Sequence, residues 1–220
     1  MINKKYLKLL RSQNKSNVNN FIYNIVSKRI IDSLDLLKIN INNALEIGIN
    51  DNLISNYLKN KYNNLTIDKI DISIPKINLN NEGKIYEDSL NNLKIEENKY
   101  NIIYSNFFLH LLPNFEKNLS IINKSIKSNG FFIFTIPDRD NIYQLVNCMY
   151  EADLELYKGV HSRFNPTINI KKMLDILKKL NFDSPTIYSD KISIEYSSFN
   201  KMLNDIKRMK LSYTYKDKRQ

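Results

Sequence analysis

Apolar residues along the first half of the chain predict helices alternating with short buried strands. Phe21, Ile22, Ile25, Val26 and Ile30, with Val18 before them, recur near a 3.6-residue period, which predicts an amphipathic opening helix. Residues 44–47 form a short apolar run that ends at a glycine, and a helical pattern follows over residues 53–58. Further strands are predicted over residues 65–71 and 84–87. Residues 100–105 predict a central strand, because their apolar side chains run together instead of alternating.

The second half continues the alternation. A helix over residues 115–126 is predicted to stop at Asn129-Gly130, and a strand follows over residues 131–136. Helices are then predicted over residues 141–155, 169–180 and 198–209, and short strands around Ile187 and Ile194 predict an antiparallel hairpin at one sheet edge. Repeated crossovers predict an α/β fold with a doubly wound, mostly parallel sheet.

Length and composition favour one globular domain over residues 1–220, with a helical extension over roughly residues 1–40. Of the 220 residues, 42% are hydrophobic and 25% are charged. The single cysteine, Cys148, has no disulfide partner within the chain, and the sequence shows no Cys and His cluster for a metal. These features predict a reducing compartment, either cytoplasm or an organelle matrix. No run approaches the ~20 apolar residues of a membrane span, so none is expected.

The net charge of +10 raises nucleic acid as a partner, because clustered Lys and Arg residues bind phosphates. The lysines are instead spread along every predicted helix. A solvated basic surface therefore explains the charge better than a nucleic-acid site does.

Polar residues stand at the ends of the predicted strands. In a doubly wound sheet the ligand lies beyond the carboxyl ends of the strands. A carboxylate after the second strand can accept both hydroxyls of a ribose, and one after the third can accept from the amine of adenine. The sequence thus predicts a nucleoside pocket from the residues at the four exits: Glu46, Gly48, Asn50, Asp71, Asp88, Ser105 and Asn106.

Several of these residues have a structural alternative. Glu46 ends a buried strand, where a carboxylate needs either a ligand or an internal ion pair. His110 suits a packed, hydrogen-bonded histidine at the start of a helix as well as a catalytic base. His161 and Arg163 lie in a predicted loop, where they could reach a substrate anion or only solvent.

Motifs in the second half resemble those of the class I methyltransferases that use S-adenosylmethionine. The segment over residues 100–114 resembles the family's fourth motif, in which a Leu-His pair follows the strand, and residues 126–134 resemble its LKPDGxF step. Later segments are similar to the subgroup that holds mitochondrial complex I assembly factor five and BioC-like proteins; they cover residues 163–166, 177–182, 190–196 and 203–209.

The resemblance implies S-adenosylmethionine as the cofactor, held by the strand-exit residues, and a small molecule or a protein as the methyl acceptor. The subgroup implies a location in bacterial cytoplasm or the mitochondrial matrix, and two alternatives for the function. One is a complex I assembly factor that acts as a protein arginine hydroxylase or a noncatalytic chaperone-like module, with a complex I subunit as partner. The other is a BioC-like O-methyltransferase acting on a malonyl carrier protein. Methyl transfer requires mainly that the acceptor is aligned with the methyl group and that water is excluded, so no catalytic residue is assigned.

The first turn departs from the family pattern. Members usually carry three glycines after the acidic residue, whereas here only Gly48 remains and Ile49, Asn50 and Asp51 replace the others. Because side chains now stand where backbone approaches the cofactor, we expect weak cofactor binding.

Overall fold

The computed structural model describes residues 2–12, 21–50, 52–74, 83–88, 91–165, 167–208 and 213–215. Its centre is a parallel sheet of β1 (Asn43–Ile47), β2 (Thr66–Asp71), β3 (Ile85–Glu87), β4 (Tyr100–Asn106) and β5 (Ile126–Thr135), in the order β3-β2-β1-β4-β5. The chain runs outward from β1 to β3 and then returns to β4, so strand order reverses between β1 and β4. The predicted α/β fold with a doubly wound parallel sheet is confirmed.

Seven α-helices and one short 3-10 helix are seen in these ranges. They are α1 (Lys4–Ser12), α2 (Phe21–Asp35), α3 (Leu53–Lys61), α4 (Phe115–Ser125), α5 (Tyr143–Tyr157), α6 (Ile170–Lys179) and α7 (Phe199–Arg208), with the 3-10 helix at Leu109–Leu111. The predicted helices are confirmed, with ends within three residues of the prediction except at α2, which continues to Asp35, five residues beyond Ile30. Val18 and Met209 lie outside the described residues. Within the described ranges, none of the helices combines the length and the apolar character that a membrane span needs.

The sheet separates two hydrophobic cores. On β1 and β4, Leu45 and Ile103 face the core that α4 and α6 cover, whereas Ala44 and Ile102 face the core under α2 and α3. Successive side chains of a strand point to opposite faces, so a strand covered on both faces is apolar throughout. The interior position predicted for β4 is confirmed by its place between β1 and β5.

The boundary between α4 and β5 differs from the prediction. Asn129-Gly130 was expected to end the helix, but α4 stops at Ser125 and β5 starts at Ile126. Tyr100 pairs with Ile126 and Ile102 pairs with Phe131, so β5 carries a bulge between these pairs. Asn129 has a φ of 60°, and this left-handed residue with the glycine after it lets the strand bulge.

The predicted antiparallel edge hairpin is wrong. Residues 185–196 form neither helix nor strand. Ile187 packs against the core under α4 and α6, and Ile192 packs against the other core. The segment therefore packs single apolar side chains into the two cores instead of adding strands. Tyr188, next to Ile187, is 79% exposed. In the sheet as described, β5 remains an edge strand, and Phe131 is 36% exposed.

Candidate functional site

The turn after β1 depends on Gly48. Its φ is 85°, a left-handed conformation that suits glycine. A Cβ atom built on this residue would lie 2.1 Å from Cγ of Phe108, the buried residue just after β4. The Gly48 amide also donates to the carbonyl oxygen of Ile70 at 2.8 Å. The turn is thus held against the exits of both neighbouring strands, β2 and β4.

Asp71 ends β2 beside this turn and is fully buried. Its carboxylate accepts from the amides of Ile49 at 2.8 Å, Ile72 at 2.7 Å and Ser73 at 3.4 Å. It also accepts from two guanidinium nitrogens of Arg11, one of them Nε at 3.2 Å. The sequence placed this carboxylate at the carboxyl edge of the sheet, and the structure puts it next to the Gly48 turn.

Arg11 is the residue of this region that sequence reasoning missed. It lies on α1, is 1% exposed, and donates to Asn50 Oδ1 at 2.7 Å and to the Ile49 carbonyl oxygen at 2.9 Å. Its guanidinium carbon lies 4.7 Å from the ring centroid of Phe108. Burial alone would lower the pKa of Arg11, but the adjacent Asp71 carboxylate raises it above its ordinary value. Arg11 is therefore held as a cation.

A signal for this inward arginine exists in the sequence. Leu7 and Arg11 are buried and Leu10 is half-buried, at the i, i+3, i+4 spacing that marks one face of a helix. Leu7 belongs to the core under α4 and α6.

Glu46 on β1 makes its contacts with the neighbouring strands β2 and β4. Its carboxylate forms an ion pair with Lys69 at 2.8 Å and accepts from the Tyr104 hydroxyl at 3.3 Å. The Lys69 ammonium also donates to Ser55 Oγ at 3.2 Å and lies 3.3 Å from Asn52 Oδ1. Glu46 thus has the internal ion pair that stood as the alternative to a ligand contact.

The exit of β4 is tied to its neighbours. Ser105 donates through Oγ to the Ile47 carbonyl oxygen at 2.6 Å, which joins β4 to β1. The Asn106 side chain donates to Ser27 Oγ at 2.9 Å and accepts from Thr135 Oγ1 at 2.9 Å. Its carbonyl oxygen accepts from the side-chain amide of Asn50. These contacts fix the strand end and link it to the Gly48 turn.

Asp88 follows β3 and is half-buried. Its amide donates to the Asp71 carbonyl oxygen at 2.9 Å, and its carboxylate accepts from the Lys94 amide at 3.4 Å. The two aspartates therefore end adjacent strands, as a nucleoside pocket requires.

His110 is 8% exposed and lies in the 3-10 helix after β4. Its Nδ1 has no hydrogen-bond partner among the described residues. Burial, and secondly the positive charge of Arg11, lower the pKa of His110 to about 3. The imidazole is thus neutral at physiological pH and has an unused polar atom.

The loop with the other histidine is held locally. Arg163 forms an ion pair with Asp153 of α5, and the amide of His161 donates to the same carboxylate at 3.0 Å. Asp153 is buried, so this contact anchors the loop to α5.

The carboxyl edge of the sheet has features that suit a nucleoside and one that does not. Asp71 suits the ribose of such a ligand, and Asp88 suits its base. The positive φ of Gly48 suits a turn whose backbone approaches the ligand closely. The guanidinium of Arg11, however, lies against Asp71.

Among the described residues, no group of three His, Cys, Asp or Glu side chains could hold a metal ion. A depression of about 370 Å³ lies apart from these residues, between the start of α4 and α6.

The amino-acid sequence of this chain matches a known protein family. The family model described as a methyltransferase domain matches residues 7–183. The human mitochondrial arginine-hydroxylase NDUFAF5 is 25% identical over 191 residues, which cover 84% of this chain and 54% of that protein. Malonyl-[acyl-carrier protein] O-methyltransferase 1 of Coxiella burnetii is 17% identical over 184 residues, which cover 84% of this chain and 62% of the relative.

The fold has a solved counterpart in the plantazolicin methyltransferase BpumL, crystallised with a desmethyl-plantazolicin analogue and S-adenosylhomocysteine. The two share 15% identity with a TM-score of 0.54, over 80% of this chain and 76% of BpumL. The chain spans between 30% and 54% of the length of the NDUFAF5 proteins it matches. Because the family model covers most of the chain, this protein belongs to the methyltransferase domain family.

Proposed function

We propose that this chain binds S-adenosylmethionine and transfers its methyl group to an acceptor. The observation that carries the proposal is the buried Asp71 carboxylate at the end of β2, beside the Gly48 turn and next to the point where strand order reverses. That is where a doubly wound sheet receives a nucleoside, and a carboxylate there can accept both ribose hydroxyls. S-adenosylmethionine supplies a methyl group already activated on its sulfonium.

We assign the strand-exit residues to two roles. Asp71 would accept from the ribose and Asp88 from the adenine amine, while Gly48 and Asn50 would border the methionine part. Glu46, Ser105 and Asn106 would act by holding the strand ends, since their side chains are engaged within the protein. These three residues would then contribute to cofactor binding by fixing the shape of the pocket. The chain is taken as one domain with α1 and α2 as its N-terminal helical extension.

The methyl acceptor follows from the relatives only as a proposal. Similarity to the malonyl-carrier-protein methyltransferases supports a carrier-bound carboxylate as acceptor. Similarity to NDUFAF5 supports the alternative of a mitochondrial factor for complex I assembly, which hydroxylates arginine or acts without catalysis.

Equilibrium dialysis against radiolabelled S-adenosylmethionine tests the proposal. We expect saturable binding that S-adenosylhomocysteine displaces and that ATP and NAD do not. Labelled cofactor that stays equally distributed across the membrane at every protein concentration would contradict the proposal.

Two acceptor experiments separate the alternatives. Transfer of label to a malonyl acyl-carrier protein supports the BioC-like activity. Co-purification of complex I subunits with the tagged chain, without label transfer, supports the assembly factor.

A further inference from the structure

The N-terminal helix α1 lies across the carboxyl ends of β3, β2 and β1. Lys8 of α1 forms an ion pair with Glu87 at the end of β3, and Arg11 reaches both Asp71 and Asn50. Because a single helix bridges three strand ends, it covers the region where the nucleoside pocket is expected.

Asp71 has no acceptor capacity left for a ribose in this arrangement. Its carboxylate receives five donors, from Arg11 twice and from the amides of Ile49, Ile72 and Ser73. A carboxylate offers roughly four lone-pair sites, so ribose hydroxyls can be accepted only if donors leave. The three amides are fixed by the backbone of the strand ends. Arg11 is therefore the donor that can withdraw.

We propose that Arg11 of α1 is a built-in competitor for Asp71, so that the cofactor binds only when this arginine withdraws. The inference rests on the proposed function, because it describes the regulation of the same site. The buried Nδ1 atom of His110, without a partner among the described residues, is a second sign that this closed arrangement leaves polar capacity for a ligand unused.

The construction of α1 suits reversible docking. It has nine residues, fewer than the ~12–15 that keep an isolated helix stable, so its helical state depends on its contacts with the rest of the chain. Its ion pair through Lys8 is exposed to solvent and therefore weak. Leu7 provides its buried apolar contact. Cofactor affinity would then be lowered by the fraction of molecules in which Arg11 is docked.

The test compares Arg11→Met with Lys8→Met by calorimetric titration with S-adenosylhomocysteine. Each variant removes one cation and one ion pair from the same helix, but only Arg11 touches Asp71. We expect Arg11→Met to bind at least about tenfold more tightly than the unmodified protein. Lys8→Met should stay within about twofold, because its ion pair is exposed. Unchanged or weaker binding by Arg11→Met would overturn the proposal.

Amide hydrogen exchange on the unmodified protein gives a second measurement in case Arg11→Met does not fold. Coupling is reciprocal, so saturating S-adenosylhomocysteine should increase exchange in α1 by about tenfold. If the ligand binds while α1 stays equally protected, the competition is overturned and the proposed function stands. If none of the proteins binds S-adenosylmethionine or S-adenosylhomocysteine, the proposed function fails, and the competition fails with it.

Discussion

Glu46 of β1 and Lys69 of β2 are cross-strand neighbours that form a buried ion pair at 2.8 Å. Removing one partner leaves the other charge buried and uncompensated. We expect Glu46→Gln to lower the free energy of unfolding by about 3–5 kcal/mol, measured by denaturant titration. Glu116→Gln is the control, because the Glu116–Lys179 pair is exposed and its loss should cost about 1 kcal/mol or less. Equal losses in the two variants would contradict this assignment.

Gly48 lies in a turn that leaves no room for a side chain. Gly48→Ala places a methyl group 2.1 Å from Phe108 Cγ at a φ of 85°, so the backbone or the ring must move. We expect a loss of stability of at least about 2 kcal/mol in thermal or denaturant unfolding. At Gly159 the nearest atom to a new Cβ is 3.9 Å away, so Gly159→Ala should be neutral or slightly stabilising. A Gly48→Ala protein as stable as Gly159→Ala would refute the steric argument.

His110 should make the protein sensitive to acid. Burial lowers the pKa of His110 to about 3 in the folded chain, whereas the ordinary value of 6.5 applies in the unfolded chain. Only the unfolded chain therefore gains the proton as pH falls below 6.5. The free energy of unfolding should therefore decline towards pH 3, at up to about 1.4 kcal/mol per pH unit from this group. His110→Leu should remove that part of the slope.

The matched control is His161→Leu, which alters the other histidine, an exposed one. Its stability profile against pH should follow that of the unmodified protein. If His110→Leu keeps the full slope, burial of His110 is not its origin.

Asn50 offers a test of the glycine-poor turn. Its φ is not positive in the structure, so Asn50→Gly gains nothing from left-handed freedom and costs roughly 0.5–1 kcal/mol of backbone entropy. It does remove the side chain that contacts Arg11 and the Asn106 carbonyl oxygen. We expect tighter binding of S-adenosylhomocysteine by calorimetry together with a lower melting temperature. Asn50→Ala should show the same gain if the lost hydrogen bonds cause it, whereas unchanged affinity in both would exclude Asn50 from the site.

Much of the fold was predictable because periodicity reports burial directly. The consecutive apolar residues Ile102 and Ile103 of β4 indicated cover on both faces. Helix α6 begins after Asn169, whose side chain accepts from the Lys171 amide at 2.8 Å. The bulge in β5 and the missing hairpin were not predictable in this way. Asn129-Gly130 is compatible with a helix stop and with a bulge, and only tertiary pairing decides between them.

The candidate site was predictable in position but not in partners. Strand exits can be read from local sequence, so the expectation that Gly48, Asp71 and Asp88 lie at one edge of the sheet agrees with the structure, while their contact with a cofactor stays a prediction. Ion-pair partners come from distant segments: Arg11 enters from α1, and Lys69 faces Glu46 from β2. A lysine inside an otherwise buried strand was the available signal for the second pair, since a buried cation needs a carboxylate.

In the proposed function, Asp71 holds the ribose of the cofactor. Calorimetric titration with S-adenosylhomocysteine should compare Arg11→Met with Arg11→Met/Asp71→Asn, because neither protein then carries a buried arginine without its partner. We predict that the Asp71 change weakens binding by about 1.5–3 kcal/mol, the range for hydrogen bonds to a charged group. Equal affinities in two folded proteins would contradict the claim and remove Asp71 from the cofactor site.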